Sequence, residues 1–160
     1  MTPADLVKSL STEIKDACAG IRLLTEYGEV PAAENVVSVN VFEQVLPKDC
    51  FENTTYLPFV LIELLQVEDD LKEGSTAQIG LSFGVYGLES DGWQDLFHLT
   101  ETCRERLLTK RLIAQKYRLV RAEWQTVQAD TQPLPFQYAT AILTYSIFQP
   151  QDVEIINTFC

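Results

Sequence analysis

The chain is short of the residue types from which active and metal sites are usually built. His98 is its only histidine, and Cys18, Cys50, Cys103 and Cys160 lie too far apart in sequence for a CxxC zinc half-site. There is no phosphate-binding glycine loop, nucleophile elbow or paired-carboxylate motif, and nothing in the sequence nominates an acid or nucleophile beside His98. Neither catalysis nor a cofactor or metal is therefore expected. No apolar run approaches the ~18 residues that a membrane span requires. Met1-Thr2-Pro3-Ala4-Asp5 has neither the positive region nor the apolar core of a signal peptide, so cytoplasmic synthesis without a membrane partner is expected. Cations are also scarce. Twelve Lys and Arg against 23 Asp and Glu leave a net charge of −11. Direct binding to duplex nucleic acid, which needs clustered cations on phosphates, is disfavoured.

What is present suits a single globular domain over residues 1–160, with 46% hydrophobic and 22% charged residues. The charge is divided along the chain. Residues 1–100 carry five cations and seventeen acids, whereas residues 101–160 carry seven cations and six acids. All seven of those cations fall between Arg104 and Arg121. Two solvated faces would account for this. So would an acidic surface on one subunit meeting a basic strip on the next, and the residues leave both open. Cys18 and Cys103 sit on apolar helical stripes and are expected as buried, reduced thiols, with Cys160 a site of incidental cross-linking.

Thr2-Pro3-Ala4-Asp5 forms a capping-box start, and Leu6, Val7, Leu10, Ile14, Cys18 and Ile21 follow helical spacing, predicting a helix over about 5–26 that stops at Tyr27-Gly28. Val36 to Leu46 alternates as a strand, with Val37, Val39, Val41 and Val45 on one side. Pro47 to Thr55 reads as a loop. A β-prone apolar segment from about Pro58 is stopped by the acidic cluster Glu68, Asp69, Asp70 and Glu73, read as a solvated hairpin turn without the spacing of a calcium loop. Ile79, Leu81, Phe83 and Val85 then share one face of a pleat. A second helix over 92–112 is predicted to turn Trp93, Leu96, Phe97, Cys103 and Leu107 inward, leaving His98 on the surface. Tyr117 to Val127 and Phe136 to Phe148 read as strands separated by a loop over 129–135, and 149–160 as a tail. The longer strand is apolar on both faces, as in a central strand or one covered by another chain. The fold class expected is α+β, a mostly antiparallel sheet of four to five strands with two amphipathic helices packed on one face, the sheet and second helix spanning 36–148.

Pro58-Phe59-Val60-Leu61-Ile62, the acidic turn, Ser75-Thr76, Gly84-Val85-Tyr86 and Asp91-Gly92-Trp93-Gln94-Asp95-Leu96 resemble a family of small tail proteins of tailed bacteriophages and prophages. The similarity continues through Thr102-Cys103-Arg104-Glu105, Leu107-Leu108 and Pro135-Phe136-Gln137-Tyr138, about two-thirds of the chain, with residues 1–55 outside it. The resemblance implies a tail-terminator or tail-completion role. Such a protein forms a homo-oligomeric, hexameric ring at the head-proximal end of the tail tube, touching tube and head or neck proteins. It is a structural virion protein made in the host cytoplasm. A head-completion or neck protein is the nearest alternative, and an acidic DNA-mimic inhibitor is one from another class. Arg104, Arg111, Arg118, Arg121, Phe136, Tyr138 and Phe148 are the candidate subunit interface. Glu68, Asp69, Asp70 and Glu73 are the candidate docking loop.

Overall fold

The computed structural model describes residues 2–24, 36–48, 56–86, 92–126 and 136–150. Helix α1 spans Pro3–Ala17. Its start matches the sequence expectation: the Thr2 N–H donates to Asp5 Oδ2 at 2.8 Å and the Asp5 N–H to the Thr2 carbonyl at 2.9 Å. These bonds satisfy backbone donors at the helix N-terminus, and the Thr2 N–H holds the Asp5 carboxyl below its ordinary pKa. The helix ends well before residue 26. Cys18 is the C-cap, and its N–H returns to the Ile14 carbonyl at 2.9 Å. Gly20 is a poor helix former, and the chain turns there so that Ile21 and Leu23 are buried from an extended segment instead. That segment is β1, Arg22–Leu24, antiparallel to β2, Val36–Ser38. The anticipated stop at Tyr27-Gly28 lies outside the described residues.

The single strand expected over Val36 to Leu46 is two strands in different sheets. After β2 the chain enters β3, Asn40–Glu43, which runs parallel to β4, Phe59–Asp70. Asn40 makes the switch. Its N–H donates to the Pro58 carbonyl at 2.9 Å and its Nδ2 to the Tyr56 carbonyl at 3.1 Å. Val39 and Val41 still pack on the core, but Val45 is largely exposed. Gln44, in the left-handed region at φ 66°, prolongs the contact by donating from its N–H to Ile62 O at 2.8 Å and accepting the Leu64 N–H on Oε1 at 2.6 Å.

The remaining elements are β5 (Gly74–Tyr86), α2 (Gly92–Thr109), β6 (Leu112–Ile113), β7 (Tyr117–Thr126) and β8 (Phe136–Ile147). The main sheet therefore has six strands in the order β3-β4-β5-β8-β7-β6 and is mixed, because β3 is parallel to β4. This corrects the expectation of four or five mostly antiparallel strands. The α+β class stands. Both helices join one core with the inward residues of the sheet, including Val60, Ile62, Ile79, Leu81, Phe83, Leu143 and Tyr145. A smaller cluster on the other face gathers Leu57, Phe59, Leu61 and Tyr86, with Phe42, Tyr56 and Tyr138 against it. Gly84 belongs to that face because a Cβ there would collide with the Phe59 ring.

Helix α2 ends at Thr109 rather than 112 and faces the sheet differently from the expectation. Leu96, Leu99, Cys103 and Leu107 are buried, whereas Trp93 and Phe97 are 48% and 46% exposed and meet edge-on at 6.0 Å. Spacings of three and four from Leu96 select Leu99, Cys103 and Leu107, and Phe97 lies one position round the helix. Strand β6 follows at once and is closed onto β7 by Ala114 and Gln115, both left-handed at φ 52° and 60°, with Lys116 N–H to Ile113 O at 3.0 Å. Ala114, Gln115 and Lys116 make up the loop, and its two successive left-handed positions favour Asn and Gly.

Two consequences are measurable by denaturant or thermal unfolding. Leu99→Ala should cost about 2–5 kcal/mol, and Phe97→Ala no more than about 1 kcal/mol. Replacing Ala114-Gln115 by Asn-Gly should instead stabilise the fold by about 1 kcal/mol, since non-glycine left-handed conformations cost on that order.

Candidate functional site

With both helices on one face of the main sheet, the smaller cluster covers one end of the other face, and the rest of that face is partly open to solvent. The register shows what lies across it. Glu68 of β4 pairs with Thr76 of β5, Thr76 with Ser146 of β8, and Ser146 with Arg118 of β7. The neighbouring row on the same face is Gln66, Gln78, Thr144 and Arg121. Each row has β4 at one end and β7 at the other. The two ends are three strand spacings apart, about 14 Å, too far for direct ion pairing. A depression of about 50 Å³ on this face, lined by Gln78, Arg121, Glu123, Ile142 and Thr144, has room for little more than water.

Exposed apolar side chains accompany both ends. Leu65, Val67 and Leu71 lie on β4 and its turn, and Val120 and Phe148 lie on or beside β7 and β8. Leu65 sits at the β4 bulge over Gly80, where a Cβ would stand 3.0 Å from its Cδ1. Val120 sits at the β7 bulge between Leu119 and Arg121, and bulges commonly re-aim a side chain at a sheet edge.

The basic strip of the sequence does not stay together. Arg106 reaches across to α1, its Nη1 at 2.7 Å from Asp16 and 3.3 Å from Glu13, and Lys110 also pairs with Glu13. The Asp16 hydrogen bond, followed by Glu13, raises the Arg106 pKa. Arg104 pairs with Glu101 at 3.4 Å, and Arg111 Nε donates to the Leu108 carbonyl at 3.0 Å. Arg121 pairs with Glu123. Arg118 is exposed and makes no ion pair among the described residues. Of the aromatic candidates, Tyr138 is half-buried in the smaller cluster and Phe148 is 62% exposed. Phe136 pairs with Tyr86 in the ladder, and its side chain lies outside the description. Arg118, Arg121 and Phe148 thus share the β7 side of the sheet, while Arg104 and Arg111 belong to the helix end.

The acidic cluster is not a turn that stops the strand. β4 runs through Asp70, and the turn is Leu71-Lys72-Glu73. Asp69 accepts from the Ser75 hydroxyl, and Asp70 Oδ1 accepts the N–H groups of Lys72 at 2.8 Å and Glu73 at 3.0 Å. Gly74, at φ +98°, completes a reversal that only glycine adopts without strain. Asp69 and Asp70 therefore build the hairpin, leaving Glu68 and Glu73 as its outward charges.

Sequence reasoning missed Glu13 as the residue that ties the helices. It missed the inward pairing of Cys18 with Cys103 as well, because α1–α2 contacts span 85 or more positions with no local signal. His98 is exposed, as expected. Burial pushes the Tyr145 phenol well above its ordinary value, with Glu13 adding to the effect. Such a phenol does not act as a base near neutrality. No group of three or more His, Cys, Asp or Glu among the described residues could hold a metal ion, and no described helix is long and apolar enough to cross a membrane. No protein-family model and no curated protein matches the chain.

Asp70 provides a pH test. Its carboxyl is held below the ordinary 3.8 by the Lys72 N–H and then the Glu73 N–H. A depressed folded pKa means that this contribution is present above 3.8 and is lost as pH falls through the lower folded value. Protection of the Lys72 and Glu73 amides, relative to their intrinsic exchange rates, should be retained down to pH 3.8 and lost at lower pH. Asp70→Asn should remove that pH step.

Proposed function

We propose that the chain is a structural subunit of a phage or prophage tail. In this role it assembles head-to-tail into a ring that terminates the tail tube and offers a surface to head or neck proteins. The observation that carries this reading is the row Glu68–Thr76–Ser146–Arg118, with an acid at one side of a sheet and a cation at the other. A closed ring needs two different, complementary patches on each subunit, and a sheet with opposite charge at its two sides supplies them. Leu65 and Leu71 beside the acidic end, and Val120 and Phe148 beside the basic end, add apolar area to each patch, whereas Val67 pairs with Ala77 on the helix side. The resemblance in segments 58–62, 75–76 and 84–86 concerns β4 and β5, the strands on which the acidic end is built.

Exposed ion pairs contribute under about 1 kcal/mol each, so apolar contacts supply affinity and charge sets register. The ring order, hexameric by family analogy, follows from the rotation between subunits. The partners in this reading are other copies of the chain, the tail-tube protein and the neck, and the site of action is the virion tail.

Arg118→Glu with Arg121→Glu should abolish ring formation in light scattering and tail completion in an infected-cell complementation assay. The melting temperature of the monomer should move by less than about 3 °C, because both side chains are exposed. Adding Glu68→Lys should restore part of the assembly. Charge-reversed chains that complete tails as well as the wild type would reduce the rows to a solvated face. A monomer at both low and high salt that inhibits a nucleic-acid enzyme would favour DNA mimicry.

A further inference from the structure

The two helices are joined at a point that the assembly reading does not use. Cys18, the C-cap of α1, and Cys103, in the middle of α2, lie with their sulfurs 3.6 Å apart, and the residues are 3% and 0% exposed. Both are free thiols. A disulfide needs its sulfurs at about 2.05 Å, so closure requires an approach of about 1.5 Å, within reach of small side-chain rotations. The two helices are already held in register by Arg106 and Lys110 of α2 on Glu13 and Asp16 of α1, with Arg106 and Asp16 within one helical turn of the two cysteines.

The two thiols are not equivalent. The contact with Cys103 lowers the Cys18 pKa, and the Arg106 guanidinium adds to this. The same contact, with burial, pushes the Cys103 thiol far up. Position assigns the roles: Cys18 closes the end of its helix and is the nucleophile, and Cys103, in the middle of α2 and fully enclosed, is the resolving thiol. Cys18 also lies at the end of its helix, beside exposed Ala19 and Gly20, and among the described residues no atom beyond the chain neighbours stands within 4 Å of where a Gly20 Cβ would be. Opening of that single turn would bring Cys18 to a small oxidant, whereas Cys103 lies in the middle of its helix with no exposed surface.

We propose that Cys18 and Cys103 are a peroxide-oxidisable dithiol, a modification site whose disulfide staples α1 to α2. The Cys18 thiolate attacks one oxygen of hydrogen peroxide. The O–O bond breaks, the departing hydroxide takes a proton and leaves as water, and Cys18 becomes a sulfenic acid. The Cys103 sulfur then attacks the Cys18 sulfur. The S–O bond breaks, and the hydroxyl leaves with the Cys103 proton as a second water. Two thiols are oxidised to one disulfide and one peroxide is reduced to two waters. The new bond closes a loop between positions 18 and 103, long enough to restrict the unfolded chain substantially.

The test uses the full chain carrying Cys50→Ser and Cys160→Ser, so that Cys18 and Cys103 are its only thiols, and hydrogen peroxide as the oxidant. The expected product is a single chain that has lost two hydrogens. Its unreduced digest holds a linked peptide pair containing Cys18 and Cys103, and its melting temperature rises by roughly 5–15 °C, reversed by dithiothreitol. The same linked pair should appear in peroxide-treated wild-type chain, which needs no substitution to fold. Two free thiols after treatment, a Cys18 carrying added oxygens without a cross-link, or a cross-link between two chains would each overturn the proposal.

Discussion

The pairing of β5 with β8 is the constraint on which the rest of the molecule depends. Twelve consecutive residue pairs run from Ser75 and Ile147 to Tyr86 and Phe136 without a register shift. Every second residue on β5 from Ala77 to Val85, and on β8 from Ala139 to Tyr145, is buried beneath the helices. A slip of one residue would turn all of them to solvent and bring Gln78, Ser82, Thr140 and Thr144 inward without partners. The register is therefore fixed by burial over the whole length of the pair. The bulges fall on the flanking strands, at Leu64/Gln66 in β4 and Leu119/Arg121 in β7, where a ladder can be interrupted without disturbing the core.

That same register composes the opposite face. Since β5 and β8 present mainly Thr, Ser and Gln outward, they separate the acidic strand from the basic one by two neutral strands. The charges at the two sides cannot reach each other within one chain, and the field across the face is dipolar. A surface with one charge sign attracts a foreign partner of the other sign. In the proposed ring, the acidic side of one copy would lie against the basic side of the next.

Much of the fold was legible because it rests on local rules. The capping box at Thr2 and Asp5 marked the start of α1, and strict alternation marked β5 and β8. The errors occurred where a long-range contact outweighed a local preference. A continuous alternating run from Val36 was divided because Asn40 bonds to the chain around Pro58, eighteen positions away in sequence. β6 escaped notice because Ala114-Gln115 carries no turn signature, although the backbone there is left-handed at both positions. Phe97 looked like core because it is large and apolar, yet the stripe that fits the sheet runs through Leu99. For the candidate site, the division of charge was readable but its geometry was not. Arg118 and Arg121 lie on the sheet, whereas Arg106 and Lys110 are neighbours in sequence that point to α1.

The scattering of that basic strip commits some of its cations to the fold and leaves others on the surface. Glu13 is mostly enclosed, with its side chain 15% exposed, and lies between Arg106 and Lys110. A carboxylate so placed needs its cations, and removing them would leave a poorly solvated charge against the core. Those two cations are thereby committed to holding α1 on α2, and the same contact keeps Cys18 and Cys103 side by side. Arg118 carries no such internal obligation among the described residues. It stands on a strand whose inward neighbours, Tyr117 and Leu119, are buried, and whose Tyr117 hydroxyl donates to the Thr2 carbonyl at 3.2 Å. The backbone beneath Arg118 is thus anchored on both the sheet and the start of α1, while its charge is directed outward. Rigid support beneath an uncommitted charge is what an interface residue requires, because little side-chain or backbone freedom remains to be lost when a partner arrives.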